Sequence, residues 1–281
     1  MTRITVVGTG YTGARILERL PEADGISRSI PAGIDASRIT QQSLDDEPFS
    51  LKTAPSIVYT VPPPREGVDE RLNHLFTAFA EPPVRFVYLS TTGVYGDRRG
   101  ERVVESDDVA PQTGRAKQRV ASEHLLKERC EESGCSLVVL RVPGIYGPGR
   151  LGIDRIRQRE PMIREQEANP GNRIHVDDLV SCCIAAANRA IPGGIYNLGD
   201  GDNRSSTWFS GEVARQLGIE PGPRISRADA ERIFSERRLS FLSESRRIDT
   251  TKMREVLGVT PAYADPKDGI RASLPAQGAD T

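Results

Sequence analysis

The chain begins with a glycine-rich segment of a kind that binds phosphate groups. Gly8, Gly10 and Gly13 are spaced as G-x-G-x-x-G, with Tyr11 and Thr12 between the last two glycines. The pattern follows a β-branched run and opens an amphipathic helical pattern, which is the context in which it binds a dinucleotide. The first glycine permits the turn, the second lets backbone amides reach a pyrophosphate, and the third lets helix and strand pack closely. All five residues are therefore predicted to bind a dinucleotide, and a simple glycine turn is the alternative.

A second segment indicates which dinucleotide. Ser27, Arg28 and Ser29 stand about 20 residues past the loop, where an NAD site usually carries an Asp or Glu for the ribose hydroxyls. A guanidinium and two hydroxyls suit a 2′-phosphate, whose charge would repel a carboxylate. The segment therefore predicts NADP, with NAD less favoured. The alternative is that Arg28 only solvates the end of a strand.

The elements that must position these residues alternate between strand and helix. Candidate strands are Ile4–Val7, Gly25–Arg28, Ser56–Val61, Arg85–Ser90 and Ser136–Val142. The last three are almost continuous apolar or β-branched runs, as in strands that are buried on both faces. Helical patterns lie between the strands, so the sequence predicts an α/β protein with a doubly wound parallel sheet of the Rossmann type.

The second half of the chain is more polar and richer in arginine. We predict that residues 1–150 form the dinucleotide-binding core, with residues 175–200 returning to it. Residues 151–174 and 201–281 are assigned to a small C-terminal substrate lobe. Ligands of open parallel sheets bind beyond the carboxyl ends of the strands, so this lobe would close over that edge.

Composition excludes several classes of function. The chain has 281 residues and a formal net charge of −1, which gives no basic field for nucleic acid. No apolar run approaches the roughly 20 residues of a membrane span. The four cysteines lack metal-ligand spacing, so we expect no metal site and reduced thiols. These features predict a cytoplasmic protein with a small-molecule substrate, without nucleic-acid or membrane partners.

Several motifs occur in a fixed order along the chain. Residues 89–97 read LSTTGVYGD, residues 140–149 read LRVPGIYGPG, residues 173–179 read RIHVDDL and residues 196–199 read YNLG. In order and spacing they resemble the extended short-chain dehydrogenase/reductase family, the epimerase/dehydratase relatives of UDP-galactose epimerase. The resemblance implies a nicotinamide cofactor and hydride transfer. It also implies a Ser or Thr at the site, here Thr91, with Tyr-x-x-x-Lys on the following helix.

The chain departs from this family at that helix. Aligned from Pro111 to Glu123, Arg115 stands at the tyrosine position and Arg119 at the lysine position. Arginine stays protonated in proteins, so Arg115 is unsuitable as an acid or base, whereas Arg119 can still hydrogen-bond the cofactor ribose. The sequence thus resembles an atypical subgroup that keeps the phosphate loop and loses the catalytic pair.

Another group would then have to move the proton. Tyr95 and Tyr146 lie in motif segments at the carboxyl edge of the sheet and are candidates, with packed tyrosines as the alternative. Thr91 is a candidate donor to a carbonyl or alkoxide. The alternative for Thr91 is a hydroxyl that satisfies the end of the strand.

Further residues are predicted to line the cofactor site. Thr60, Val61 and Pro62 end one strand, and Pro62 has no amide proton and would form a stiff wall. Ser90 and Pro143 end two other strands.

Two classes of function remain open. The first is an NADP-dependent oxidoreductase or epimerase/dehydratase-like enzyme that acts on a small polar carbonyl or sugar-like substrate. The second is a non-catalytic NADP-binding sensor or scaffold. Arg246 and Arg247 are either ligands of a substrate diphosphate or a solvated pair, and a homodimer is possible since relatives of this kind often dimerise.

Overall fold

A computed structural model describes residues 3–46, 50–51, 55–242 and 244–275. The strands run in chain order as β1 (Ile4–Val7), β2 (Asp24–Ser27), β3 (Ile39–Gln41), β4 (Ser56–Tyr59), β5 (Arg85–Thr91), β6 (Arg102–Val103), β7 (Ser136–Val142), β8 (Gly144–Tyr146), β9 (Met162–Ile163), β10 (Arg173–His175), β11 (Gly194–Asn197), β12 (Arg224–Ile225) and β13 (Arg247–Ile248). The α-helices are α1 (Tyr11–Arg19), α2 (Glu70–Ala78), α3 (Gly114–Ser133), α4 (Ile153–Arg157), α5 (Val176–Ala187), α6 (Ser206–Leu217), α7 (Arg227–Ile233), α8 (Glu236–Leu242), α9 (Thr251–Glu255) and α10 (Pro266–Ser273).

Seven of these strands form one parallel sheet in the order β11-β7-β5-β4-β1-β2-β3. Strand β1 is flanked by β2 and β4, so the strand order reverses beside it. This is the order of a doubly wound nucleotide-binding fold, in which the crevice at the reversal binds the ligand. The fold predicted from the alternating pattern is therefore confirmed.

Strand boundaries follow the burial of each run. The bounds of β1 and β7 are those predicted, because each strand is a nearly continuous run of apolar or β-branched residues that is mostly buried. Strand β2 lies one residue earlier than expected, at Asp24–Ser27. Strand β3 was not predicted because its three residues, Ile39–Gln41, are an exposed or half-buried edge with no apolar run.

Helices cover both faces of the sheet. Neighbouring strand residues point to opposite faces, so Val6 packs with α1 and α5, whereas Val7 packs with α2 and α3. Leu72 and Leu75 of α2 are fully buried against the second face. Burying one such side chain is worth roughly 1.5–3 kcal/mol, so these stripes hold the helices on the sheet.

The lobe has its own small core beyond the carboxyl edge of the sheet. Tyr146, Leu151 and Ile156 pack there with residues of α6 and α10. The predicted boundary differs at the C-terminal end, because Met253 and Leu257 belong to the core of the sheet rather than to that of the lobe. Strand β13 likewise pairs with β6 of the first half.

Within the part of the chain that the structure describes, every helix is too short or too polar to cross a membrane.

Candidate cofactor-binding site

A cavity of about 580 Å³ opens at the carboxyl ends of the central strands. Its wall contains the phosphate loop, the ends of β2, β4, β5 and β7, and the turn that follows β8. Twelve predicted cofactor residues line it: Gly8, Gly10, Tyr11, Thr12, Ser27, Arg28, Ser29, Thr60, Val61, Pro62, Ser90 and Arg119. Sequence reasoning missed a second set: Thr9, Ile26, Gln42, Leu44, Asp45, Arg71, Leu89, Val142, Ile145 and Arg150.

The phosphate loop has the geometry that its glycines predict. Gly8 adopts φ of +87°, and a Cβ there would lie 2.7 Å from the Val61 side chain. A Cβ on Gly13 would lie 2.0 Å from the Gly8 carbonyl oxygen, so only glycine lets α1 pack so closely. Gly10 caps α1 without a side-chain hydrogen bond, which leaves the first backbone N–H groups of the helix to an anion. Gly13 itself lies behind the cavity wall.

Thr60 fixes this loop against β4. Its hydroxyl donates to the Gly8 carbonyl oxygen at 2.7 Å, and its backbone amide donates to the Val7 carbonyl oxygen at 2.9 Å. Thr60 therefore lines the cavity wall, and its side chain also holds the turn of the phosphate loop in place.

One end of the cavity is formed by Ser27, the last residue of β2, with Arg28 and Ser29 directly after it. Asp24 lies at the opposite end of β2 and pairs with Arg3. No carboxylate therefore occupies the described end of this strand. Asp45, beyond β3, is the acidic side chain of the wall.

Arg71 is a cationic wall residue that the motifs did not predict. Its Nε donates to the Asp69 carboxylate at 2.8 Å, and its Nη2 donates to the Pro62 carbonyl oxygen at 2.8 Å. Asp69 is buried where α2 begins. The guanidinium is thus held in place over the end of β4, although Arg71 is far from the phosphate loop in the sequence.

A buried polar chain lies under the other end of the cavity. Ser90, at the wall, donates a hydrogen bond to Glu123 of α3. The Glu123 carboxylate accepts from Arg141 Nη2 at 2.8 Å, and the Arg141 guanidinium lies 4.8 Å from the centroid of the Tyr95 ring. Burial lowers the pKa of Arg141, whereas hydrogen bonding to Glu123 and, to a smaller extent, the attraction of its carboxylate raise it. The net shift of the pKa is upward.

Arg119 occupies the wall beside Ser90. It donates to the Leu89 carbonyl oxygen at 2.6 Å and to the Tyr88 hydroxyl at 3.1 Å. Thr91 lies one residue beyond Ser90, outside the wall, and its hydroxyl oxygen accepts from the Gly93 amide at 3.2 Å. Because that oxygen acts as an acceptor, the hydroxyl proton of Thr91 can still be donated.

The structure does not bring either candidate tyrosine to the cavity. Tyr95 is fully buried and donates to Asn197 Oδ1 at 2.7 Å. Tyr146 is 3% exposed and packs edge-on against His175 and Phe209 in the lobe core. Burial raises the pKa of both hydroxyls above the ordinary value. Their packed environment matches the alternative stated for them above, since a buried phenol with a raised pKa is a poor proton donor at neutral pH.

Three other residues lie away from the cavity. Pro143 is buried beside the wall rather than in it. Arg246 donates to the Gly96 carbonyl oxygen at 2.6 Å and pairs with Glu244, while Arg247 donates to the Gly100 carbonyl oxygen. Both arginines therefore contact the loop that follows β5 and lie outside the cavity wall, which differs from a diphosphate clamp. Arg246 is half-buried, whereas Arg247 is exposed, as in the solvated alternative.

Comparison with known proteins agrees with this geometry. The NAD dependent epimerase/dehydratase family matches residues 71–199. Protein YeeZ of Escherichia coli K12 is 23% identical over 95% of this chain and 98% of its own length. A conserved protein of unknown function from Silicibacter pomeroyi is 27% identical, with a TM-score of 0.79 over 97% of this chain and 98% of that one. The structure of MoeE5 with UDP-glucose and NAD is 21% identical, with a TM-score of 0.75 over 96% and 97%.

Fold and cavity thus define a Rossmann-type protein whose structural neighbours bind NAD. The chain resembles the extended short-chain dehydrogenase/reductases, as its motifs predicted, and its residues 71–199 match the NAD dependent epimerase/dehydratase family. It is atypical in that arginines stand at both positions of the Tyr-x-x-x-Lys pair.

Proposed function

We propose that this protein binds NADP(H) in the cavity and transfers a hydride between the cofactor and a small polar carbonyl or sugar-like substrate. The observation that carries this proposal is the continuous wall from Ser27–Arg28–Ser29, past the phosphate loop, to Ser90 and Arg119. An extended dinucleotide would place its adenosine ribose at the first end and its nicotinamide at the second.

The preference for NADP rests on charge at the adenosine end. Arg28 lines the wall with two serine hydroxyls, and a guanidinium can bind a phosphate through two parallel hydrogen bonds. The NAD-type alternative needs a carboxylate on the ribose hydroxyls, and the described end of β2 has none. Structural neighbours crystallised with NAD support dinucleotide binding, and Arg28 supports the choice of NADP.

The chemistry at the other end has to proceed without a tyrosine. The nicotinamide supplies or accepts the hydride when it is bound. A substrate carbonyl beside it would gain negative charge, which the Arg119 guanidinium can stabilise, whereas the Ser90 hydroxyl proton is committed to Glu123. Thr91 is the candidate that donates a hydrogen bond to the substrate oxygen, since its hydroxyl hydrogen is not committed to Gly93, and the alkoxide then takes its proton from water.

The proposed substrate is small rather than a nucleotide-sugar. Arg246 and Arg247, the lobe arginines that would suit a substrate diphosphate, are committed to the loop of residues 96–100. UDP-sugars are nevertheless worth including in a first panel, because MoeE5 binds UDP-glucose.

The second candidate is an NADP sensor that binds without turnover. Arg115 and Arg119 in place of the catalytic pair favour this function, as does the burial of Tyr95 and Tyr146. It requires the same adenosine end and the same phosphate loop. It differs from the first candidate only in that no hydride is transferred to a substrate beside Ser90.

Titration with NADPH and NADH, followed by nicotinamide fluorescence, tests the shared part of both candidates. We expect tighter binding of NADPH, and the preference should disappear in an Arg28→Glu variant because the new carboxylate repels the 2′-phosphate and accepts from ribose hydroxyls. Equal binding of both cofactors by the wild type would refute the NADP assignment. Binding of neither would refute dinucleotide binding itself.

Turnover separates the two candidates. A panel of aldehydes, ketones, keto-sugars and UDP-sugars is incubated with NADPH, and its oxidation is followed by absorbance. The enzyme candidate predicts consumption that falls in a Thr91→Val variant with unchanged NADPH affinity. Tight NADPH binding with no consumption across the panel favours the sensor.

A further inference from the structure

A tight turn leads from β8 into the lobe and carries an arginine to the cavity. Residues Gly147–Arg150 form this lobe turn, in which the Arg150 amide donates to the Gly147 carbonyl oxygen at 2.9 Å. Pro148 at the second position and Gly149 at the third, with φ of +76°, are the residues that a type II turn requires. The position of Arg150 is therefore fixed by local sequence rather than by a flexible loop.

Tyr11 of the phosphate loop holds the lobe turn in place. Its hydroxyl donates to the Pro148 carbonyl oxygen at 3.0 Å, and the Arg150 guanidinium lies 3.9 Å from the centroid of its ring. A Cβ on Gly147 would lie 2.6 Å from the Tyr11 hydroxyl oxygen, so glycine at this position permits the close approach. The aromatic ring thus joins the loop after β1 to the turn after β8.

Positive charge accumulates around this ring. Arg15 lies 4.1 Å from the ring centroid and donates to the Tyr11 carbonyl oxygen at 3.0 Å. Its guanidinium is outside the cavity wall, whereas that of Arg150 is in the wall with Gly10 and Thr12. No ion pair of Arg150 occurs within the described residues. Burial raises the pKa of the Tyr11 hydroxyl, the two arginines lower it, and the nearby carboxylate of Asp177 raises it. That carboxylate lies 3.6 Å from the His175 ring nitrogen Nδ1.

An exposed guanidinium with a free charge, beside the N-terminus of α1, is a site for an anion. The helix contributes backbone N–H groups and the positive end of its dipole. Arg150 contributes a cation from a different segment of the chain. Pro148, which belongs to the same turn, is 137 residues from Tyr11 in the sequence. A pyrophosphate that contacts the Gly10–Thr12 amides would still have oxygens directed at the lobe turn.

We infer that Arg150 is a cofactor-binding residue, which Tyr11 positions beside the N-terminus of α1 to bind the pyrophosphate. This inference rests on the proposed function, because it requires a dinucleotide in the cavity. It concerns the diphosphate that NADP and NAD share. Arg150 therefore contributes affinity for both cofactors, whereas Arg28 contributes the preference between them.

The test compares two fragments of the cofactor on the full-length protein. ADP-ribose contains the pyrophosphate, and adenosine 2′-monophosphate lacks it. By titration calorimetry we expect Arg150→Met to weaken ADP-ribose about tenfold, as for loss of a hydrogen bond to a charged group, and to leave adenosine 2′-monophosphate within about twofold. Methionine keeps an aliphatic chain over the Tyr11 ring, and Arg150→Lys, which keeps the charge, should recover part of the affinity.

Arg15→Met is the matched control, because it removes the same charge at almost the same distance from the same ring but outside the wall. ADP-ribose binding should change less than about twofold in this variant. Equal loss in both variants, equal loss for both fragments, or unchanged ADP-ribose binding in Arg150→Met would overturn the inference while leaving the proposed function intact. A wild-type protein that binds neither NADPH nor ADP-ribose would overturn both.

Discussion

The carboxylate of Glu123 and the guanidinium of Arg141 form an ion pair of 2.8 Å in which both side chains are more than nine-tenths buried. The pair connects α3 to β7, directly below Ser90 at the cavity wall. Replacing a buried ion pair with apolar groups can be neutral, but removing one partner leaves an uncompensated charge.

Glu123→Gln should therefore destabilise the protein by about 3–5 kcal/mol, as measured by urea unfolding. Glu131→Gln is the matched control, since Glu131 lies on the same helix in an exposed pair with Lys127, and such pairs are worth less than about 1 kcal/mol. A loss below about 1 kcal/mol at Glu123 would contradict a structural role for the buried pair.

The phosphate loop offers a second contrast, between two glycines three residues apart. Gly13→Ala places a methyl group 2.0 Å from the Gly8 carbonyl oxygen, whereas Gly10→Ala meets no atom within 4 Å. We expect Gly13→Ala to lower stability by roughly 3 kcal/mol, since the backbone of α1 or β1 must move. The free energy of unfolding of Gly10→Ala should be within about 1 kcal/mol of that of the wild type. Thermal melts without cofactor measure both, and equal melting temperatures would refute the close packing.

Asp200 gives a pH dependence with a defined sign. Burial raises the pKa of its carboxyl to about 7, against the lowering effect of Arg173. The folded state therefore keeps a proton that the unfolded chain releases near pH 4, so this group costs stability as pH rises from about 4 to 7. The shift corresponds to a loss of about 4 kcal/mol above pH 7.

Asp200→Asn removes that titration. The stability of the variant relative to wild type should increase as pH rises from about 4 to 7, and should level off above it. Urea unfolding at a series of pH values measures the difference, with the exposed Asp46→Asn as control. A difference that does not change with pH would contradict the raised pKa.

The thiols provide a fourth prediction. Cys182 and Cys183 of α5 are fully buried, and burial raises the pKa of Cys183 to about 12 and that of Cys182 well above its ordinary value. Since the thiolate is the reactive form, neither should react with a disulfide reagent in the native protein. A colorimetric thiol assay in buffer and in denaturant, with Cys182→Ala and Cys183→Ala variants to assign the signal, measures this. Rapid native labelling of either residue would contradict the packing of α5.

The sequence predicted best what depends on local pattern. Gly8 and Gly13 specify the loop because a tight turn and a close approach each exclude other residues, whereas a Cβ on Gly10 would meet open space. The buried strands were found because apolar runs on both faces are unmistakable, whereas the three-residue edge strand β3 has no such run.

The burial of individual side chains, and the approach of residues that are far apart in the sequence, were not predictable in the same way. Tyr95 and Tyr146 occupy motif segments at the expected edge of the sheet, but pattern alone does not show whether a side chain points into the cavity or into a core. Arg71 and Arg150 reach the wall from a helix start and from a turn 79 residues apart in the chain, and only the folded arrangement brings them to one surface.

The return of the C-terminal segment to the sheet has a consequence for how this chain can be divided. Met253 and Leu257 complete the sheet core, and β13 pairs with β6, although residues 201–242 of the lobe intervene. A fragment that ends after β11 would expose apolar surface on the sheet and lose the partner of β6. The lobe is thus built from segments that alternate along the chain with segments of the sheet core, since Leu151 and Ile156 precede α5 and α10 follows Leu257. Recombination that exchanges lobes between relatives would therefore need a crossover point at each of these alternations.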